Sequence, residues 1–119
     1  MSHAANHHKI TYLEFTTGDI EGVKRFYGAV FGWSFKEWGP DYIDTNIESA
    51  GLALGFTRGE VTSCKTSPLA VLYSADLKAT EEAILAHGGS VVLPTFEFPG
   101  GRRFHFSDGL GNVLAVWSE

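Results

Sequence analysis

The chain has 119 residues, of which 44% are hydrophobic and 13% aromatic, which is enough to fill one hydrophobic core. Its net charge is −5, and no cluster of lysines or arginines offsets it, which argues against nucleic acid as a partner. The sequence has no candidate membrane span, and its single cysteine excludes an internal disulfide, so we expect a cytoplasmic protein.

Two polar segments of the chain offer little chemistry. Residues 1–9 form a lead-in that we expect to be disordered or loosely ordered. Its histidines, His3, His7 and His8, could bind metal adventitiously, but a frayed terminus is the simpler interpretation. Cys64 lies in a polar stretch with no neighbouring proton acceptor, so we expect a structural or incidental thiol rather than a nucleophile.

The first half of the remaining chain predicts one strand, one helix and three further strands. Residues 10–16 alternate in the manner of a strand. Asp19 then offers an N-cap oxygen to a helix whose apolar residues recur at helical spacing and which ends near Gly32. Strand-forming runs follow at 33–38, 42–47 and 51–56.

The second half repeats this order after a polar connector at residues 58–67. A strand at 68–74 precedes a helix capped by Asp76, and strands follow at 90–98, 102–107 and 113–117. Asp19 and Asp76 are 57 residues apart, as are the helix-stopping Gly32 and Gly89. One βαβββ unit therefore occurs twice in a single domain at residues 10–117, with module one at 10–57 and module two at 68–117.

Two motifs carry a resemblance to a known family. One is an Asp-capped helix with a Phe-Tyr pair and an aromatic-Gly-aromatic end, formed by Asp19, Phe26, Tyr27, Phe31, Gly32 and Trp33. The other is a closing turn before the last strand, formed by Phe106, Asp108, Gly111 and Asn112. Together with the repeated order of elements, they make the chain resemble the glyoxalase/bleomycin-resistance/dioxygenase (vicinal oxygen chelate) superfamily over residues 10–117. The family commonly has proline at the position of Gly109.

The resemblance implies an α+β fold in which paired βαβββ modules form a cupped mixed sheet. Metal-binding members line the cup with four His, Glu or Gln side chains. Three of these positions correspond here to Tyr12, Leu69 and Ala115, and the strand at 51–56, which should supply the fourth, has no side chain able to ligate.

A site reduced to one phenol does not hold a divalent cation against water, so we expect no metal and no other cofactor. A displaced metal site formed by Glu14, His105 and Tyr12 stays open as an alternative.

The predicted cup still offers side chains for a ligand. Strand alternation places Glu14 on the face of Tyr12, Tyr73 on that of Leu69, and Trp117 on that of Ala115. In family members with a known pocket, the residues five and three positions before the turn aspartate point into the pocket. In this chain those residues are Arg103 and His105. Such buried polar groups favour a ligand site, because they are costly unless paired. His105 as a hydrogen-bonded core or rim residue, and Glu14 with Arg103 as a structural ion pair, remain open.

Three functions compete for this cup. The first is a metal-free binding module for a small organic molecule, acting as a homodimer as the bleomycin-resistance branch does. The second is a glyoxalase-like lyase or isomerase in which His105 and Glu14 are the acid and base and Arg103 holds an oxyanion or carboxylate. The third is a non-catalytic interaction domain whose own side chains fill the cup. We rank them in this order, and the sequence does not identify the ligand.

Overall fold

A computed structural model of the chain describes Ala5, His7, residues 12–60 and residues 69–119. The predictions for residues 10–11, for His3 and His8, for Cys64 and for most of the connector fall outside these residues. No helix in the described part is long and apolar enough to span a membrane.

The described elements form two modules with the same order of strands. Module one contains β1 (Tyr12–Thr17), α1 (Ile20–Phe31), β2 (Lys36–Glu37), β3 (Tyr42–Thr45), α2 (Ile47–Ala50) and β4 (Ala53–Arg58). Module two contains β5 (Val71–Tyr73), α3 (Leu77–Ala86), β6 (Ser90–Phe98), β7 (Gly101–Ser107) and β8 (Val113–Ser118). The sheet orders are β1-β4-β3-β2 and β5-β8-β7-β6, and in each the first strand pairs in parallel with the last. The predicted pair of βαβββ modules is confirmed.

The two long helices begin at the predicted aspartates. The Gly22 N–H donates to Asp19 Oδ1 at 2.9 Å, and the Ala79 N–H donates to Asp76 Oδ1 at 3.1 Å. These bonds satisfy amide groups that have no partner within the first turn of a helix. Gly32 ends α1 in the left-handed region, at φ 73°, where the lack of a side chain removes the steric cost.

A third, short helix interrupts the strands predicted for module one. The strand expected at 42–47 is shortened to β3, and the strand expected at 51–56 is shifted to β4, because Asn46 caps α2 by accepting the Ser49 N–H at 3.0 Å. The strand expected at 33–38 is reduced to β2. Trp33 instead packs in the core, with its ring 5.0 Å from that of Tyr27.

The two sheets share one hydrophobic core, which α1 joins to both. The Phe26 ring lies 6.3 Å from Phe106 of β7, and the Tyr27 ring lies 5.3 Å from Phe56 of β4. Because side chains alternate along a strand, the residues next to Phe56 and Phe106 point away from this core. We call the side of the first sheet away from the core the first outer face, and that of the second sheet the second outer face.

A buried hydrogen bond also links the two modules. The Tyr27 hydroxyl of α1 donates to Asp108 Oδ2 at 2.9 Å, and Asp108 is only 2% exposed. Asp108 holds its own turn as well, since Oδ1 accepts the N–H groups of Leu110 at 2.7 Å and Asn112 at 3.1 Å. Burial, followed by the charge of Asp108, raises the pKa of Tyr27 well above its usual range. Tyr27 therefore stays a hydrogen-bond donor at all physiological pH values.

We expect Tyr27→Phe to lower the free energy of unfolding by about 1.5–3 kcal/mol, because it removes one hydrogen bond from a buried carboxylate. Urea denaturation monitored by circular dichroism measures the change. The control is Tyr42→Phe, which removes a hydroxyl that also donates to a carboxylate, Glu14, but at a half-buried position on the first outer face. Equal losses in the two variants would contradict a special role for the link between the modules.

Candidate functional site

The residues predicted to line the cup lie on two separate sheets. Tyr12 and Glu14 belong to β1, on the first sheet. The others belong to the second sheet or directly precede it, and they are Leu69, Tyr73, Arg103, His105, Ala115 and Trp117. Among the described residues, no hydrogen bond or ion pair joins Glu14 to Arg103, so the structural ion pair is not formed within the chain.

The first outer face carries a cluster of two phenols and a carboxylate. The Tyr42 hydroxyl donates to Glu14 Oε2 at 3.1 Å and is hydrogen-bonded to the hydroxyl of Tyr12. Gly55 lies beneath this cluster, and a Cβ there would collide with both hydroxyls. Asp44 is opposite Gly55 in the strand register, which brings a second carboxylate to the same face. The first outer face therefore carries two carboxylates, and Lys36, opposite Asp44, brings one ammonium to the same face.

Tyr42 was not among the predicted site residues. Burial, followed by the hydrogen bonds to Tyr12 and Glu14, raises its pKa well above the usual tyrosine range. The signal available in the sequence was the alternation of β3, since the next residue, Ile43, is fully buried and Tyr42 must therefore face outward.

The second outer face carries Arg103 and His105, each of which has a shielded nitrogen without a hydrogen-bond partner. The Arg103 guanidinium lies over the Phe96 ring, 5.2 Å from its centre, and 5.7 Å from the centre of Phe98. Arg103 Nε and His105 Nε2 are both shielded from solvent and have no hydrogen-bond partner. Burial, followed by the charge of Arg103, lowers the pKa of His105, so its neutral form is favoured.

Aromatic rings surround these two side chains and border a cavity. The Trp117 ring is 5.0 Å from Tyr73 and 6.3 Å from Phe98, with edge-to-face geometry in both pairs. The cavity has a volume of about 330 Å³, and it is lined by Val71, Phe98, Gly100, Arg103 and Trp117. The second outer face thus combines an apolar wall with a small number of polar groups, as small-molecule sites commonly do.

A larger groove of about 730 Å³ opens between the modules. Its lining combines apolar residues such as Leu13, Trp33 and Leu72 with the polar side chains of Glu48, Ser49 and Tyr73. Leu69, predicted for the cup, lies along this groove. Among the described residues, the buried polar side-chain atoms without a hydrogen-bond partner belong to Arg103 and His105, which favours the cavity at Arg103 as the candidate site.

The side chains at the family's metal positions do not fit a divalent cation. Tyr12 is opposite Ala53 in the register of β1 and β4, and Ala115 is opposite Val71 in that of β5 and β8. One phenol among alkyl groups does not supply the several donors that such ions need. In the described part of the chain, no group of three or more His, Cys, Asp or Glu is placed to hold a metal. The residues of the displaced site are divided between the two sheets, since Tyr12 and Glu14 lie on β1 and His105 lies on β7.

Comparison with known proteins identifies the family. The model of the Glyoxalase/Bleomycin resistance protein/Dioxygenase superfamily matches residues 9–116, so the chain belongs to that superfamily. No curated protein matches the chain. The resemblance based on the two motifs is therefore confirmed.

Solved structures with low sequence identity share the fold. A glyoxalase-related enzyme from Fulvimarina pelagi has a TM-score of 0.76 at 21% identity, covering 94% of this chain and 88% of that one. The fosfomycin resistance protein FosX from Listeria monocytogenes, in a monoclinic form, has a TM-score of 0.79 at 16% identity, covering 94% and 91%. A mutant of that protein in complex with Mn(II) and 1S,2S-dihydroxypropylphosphonic acid has a TM-score of 0.77 at 16% identity, covering 92% and 89%.

We expect Gly55→Ala to fold but to separate the two phenols, because the new Cβ collides with the hydroxyls of Tyr12 and Tyr42. The pKa of Tyr42 then falls part of the way toward its usual range, because burial, the larger cause of the shift, remains while the hydrogen bonds to Tyr12 and Glu14 are lost. Ultraviolet titration of the tyrosines measures this shift. Gly18→Ala is the matched control, because a Cβ at Gly18 meets nothing within 4 Å. Identical titration curves for the two variants would show that the cluster does not depend on Gly55.

His105 makes stability depend on pH. Its pKa in the folded protein is lowered from 6.5, so below that pH the unfolded chain takes up the proton first and the folded state loses stability. This loss runs from pH 6.5 down to the lowered pKa, and the stability is fully present above pH 6.5. Arg103 is the charged neighbour that, after burial, contributes to the shift.

We therefore expect the melting temperature of the wild type to fall more steeply below pH 6.5 than that of His105→Gln, as measured by differential scanning calorimetry. His87→Gln removes a histidine from the end of α3, away from the cavity, and serves as the control. Parallel curves for the wild type and His105→Gln would contradict the assignment.

Proposed function

We propose that this protein binds a small organic molecule in the cavity of the second outer face and uses no divalent metal to do so. The observation that carries the proposal is the pair of shielded, unpartnered atoms Arg103 Nε and His105 Nε2 beside an aromatic wall. A buried polar group without a hydrogen bond costs about 1–3 kcal/mol, which a bound ligand offsets. The cytoplasm, where thiols stay reduced, suits a chain with one cysteine.

The donor set supports the metal-free part of the proposal. The Listeria monocytogenes protein was solved in complex with Mn(II). In this chain, the resemblance places Tyr12 and Ala115 at two of the family's metal positions. Without ligands on β1 and β8, binding must rest on the organic molecule's own contacts with the protein.

The homodimer is proposed because both outer faces remain partly exposed in a single chain. The first outer face carries Glu14 and Asp44 together with Lys36, whose ammonium lies 3.9 Å from the centre of the Trp38 ring. On the second outer face, Val71 and Tyr73 are 43% and 52% exposed. A twofold axis brings the first outer face of one protomer against the second outer face of the other twice, which leaves the cavity and its ligand between the two protomers.

One observation favours an enzyme as the second candidate. His105, whose neutral form is favoured and whose Nε2 has no hydrogen-bond partner, can accept a proton, and it lies two residues along β7 from Arg103, which lines the cavity. In the proposed dimer, Glu14 of the partner would face it, which provides the acid and base of a glyoxalase-like lyase or isomerase. The closed interaction domain receives less support, because a cavity of about 330 Å³ remains on the second outer face.

A thermal-shift screen of small aromatic and carbonyl compounds tests the binding proposal. We expect compounds that raise the melting temperature of the wild type to lose this effect in Val71→Trp, whose indole occupies the cavity. Val71 also borders the groove between the modules, so Phe98→Ala, which removes a ring that lines the cavity and not the groove, should abolish the effect as well. The control is Leu85→Trp, which adds an indole at a half-exposed position on α3. Compounds that stabilise all three variants equally would exclude this cavity.

Calorimetric titration of tag-free protein with Zn, Ni, Mn and Fe tests the metal-free part. We expect no stoichiometric binding, and light scattering of the same sample should give the mass of a dimer. Stoichiometric binding that disappears in a Glu14→Ala/His105→Ala variant would establish the displaced metal site instead.

A further inference from the structure

We propose that the cavity of the second outer face selects small aromatic anions, with the acidic group paired to Arg103 and the ring packed against Phe98 and Trp117. This inference rests on the proposed function and specifies the chemical class of its ligand.

The first argument is an unbalanced charge. The chain has 14 acidic and 9 basic residues, yet no carboxylate of the described residues lies within ion-pair distance of Arg103. The carboxylate of Glu119 accepts the hydroxyl of Tyr73, which lies on the same face. A partly buried guanidinium without a counter-ion is costly, and a protein with an excess of carboxylates has left this one unpaired. An anionic ligand supplies the missing counter-ion of Arg103.

The second argument is the surroundings of the guanidinium. Its central carbon lies 5.2 Å from the centre of the Phe96 ring and 5.7 Å from that of Phe98. Contacts with aromatic rings do not use the N–H groups of a guanidinium, which donate in its own plane. The two terminal Nη groups can therefore donate to two oxygens of one acidic group, which a carboxylate or a phosphonate can offer.

The third argument is the size and lining of the cavity. Its volume of about 330 Å³ is at the lower end of the range of about 300–1,000 Å³ for small-molecule sites. Phe98 and Trp117 already meet edge to face, and Tyr73 extends the same wall. A single ring packs against such a wall with favourable stacking or edge contacts. One charged anchor and one aromatic wall therefore define a compact, flat anion.

Calorimetry with defined probes tests this class. We expect benzoate, trans-cinnamate and phenylphosphonate to bind one per chain, and the neutral amide cinnamamide to bind about tenfold more weakly or worse than cinnamate. Inorganic phosphate, which lacks the ring, should bind at least as weakly as cinnamamide. Comparing benzoate with phenylphosphonate shows whether the acidic group is a carboxylate or a phosphonate.

Variants of Arg103 test the anchor. We expect Arg103→Met to weaken cinnamate binding about tenfold or more while leaving cinnamamide unchanged, and Arg103→Lys, which keeps the charge without the fork, to lie in between. Arg25→Met removes an exposed arginine from α1 and should bind like the wild type. Circular dichroism melting of each variant verifies that it is folded.

Two results separate failure of this inference from failure of the proposed function. If cinnamamide binds as tightly as cinnamate, and both lose binding in Val71→Trp, then the cavity binds neutral compounds and the anion inference is overturned. If the whole compound screen yields nothing that depends on Val71, the proposed function is overturned as well. Equal cinnamate affinity in the wild type and in Arg103→Met also overturns the inference.

Discussion

A buried hydrogen bond between Tyr27 and Asp108 is the polar link inside the hydrophobic core that both sheets share. This bond ties the first helix to the turn that precedes the last strand, and Asp108 simultaneously holds the backbone of that turn. The phenol ring of Tyr27 meets Phe56 of the first sheet and Trp33. Tyr27 therefore contacts both modules, the first through its ring and the second through its hydroxyl.

The shared core also decides where the chemistry lies. Phe104 and Phe106 point inward, so Arg103 and His105, which alternate with them, must point outward. The same alternation turns Glu14 outward on the first sheet. A chain whose two sheets bury one face each exposes its polar groups on two separate surfaces. The division of the predicted site into two groups follows from this packing.

Capping and periodicity predicted the two long helices because Asp19 and Asp76 act locally. The short helix α2 escaped prediction, since four residues are too few to show a period and only Asn46 marks its start. The family resemblance and the alternation of side chains along β7 indicated that Arg103 points outward. The contacts of Arg103 with Phe96 and Phe98 were not predicted, because β6 shifts register against β7 twice before Phe96, and the sequence does not show such shifts.

Those register shifts in β6 have a second consequence, for the behaviour of the free protein in solution. β6 is nine residues long and stands at the end of its sheet, where an unpaired edge of this length invites another chain to add a strand. Val92 and Leu93 are exposed beside Pro94, which lacks the N–H that such pairing requires. The irregularity that aims Phe96 toward Arg103 thus also makes this edge a poor template for aggregation.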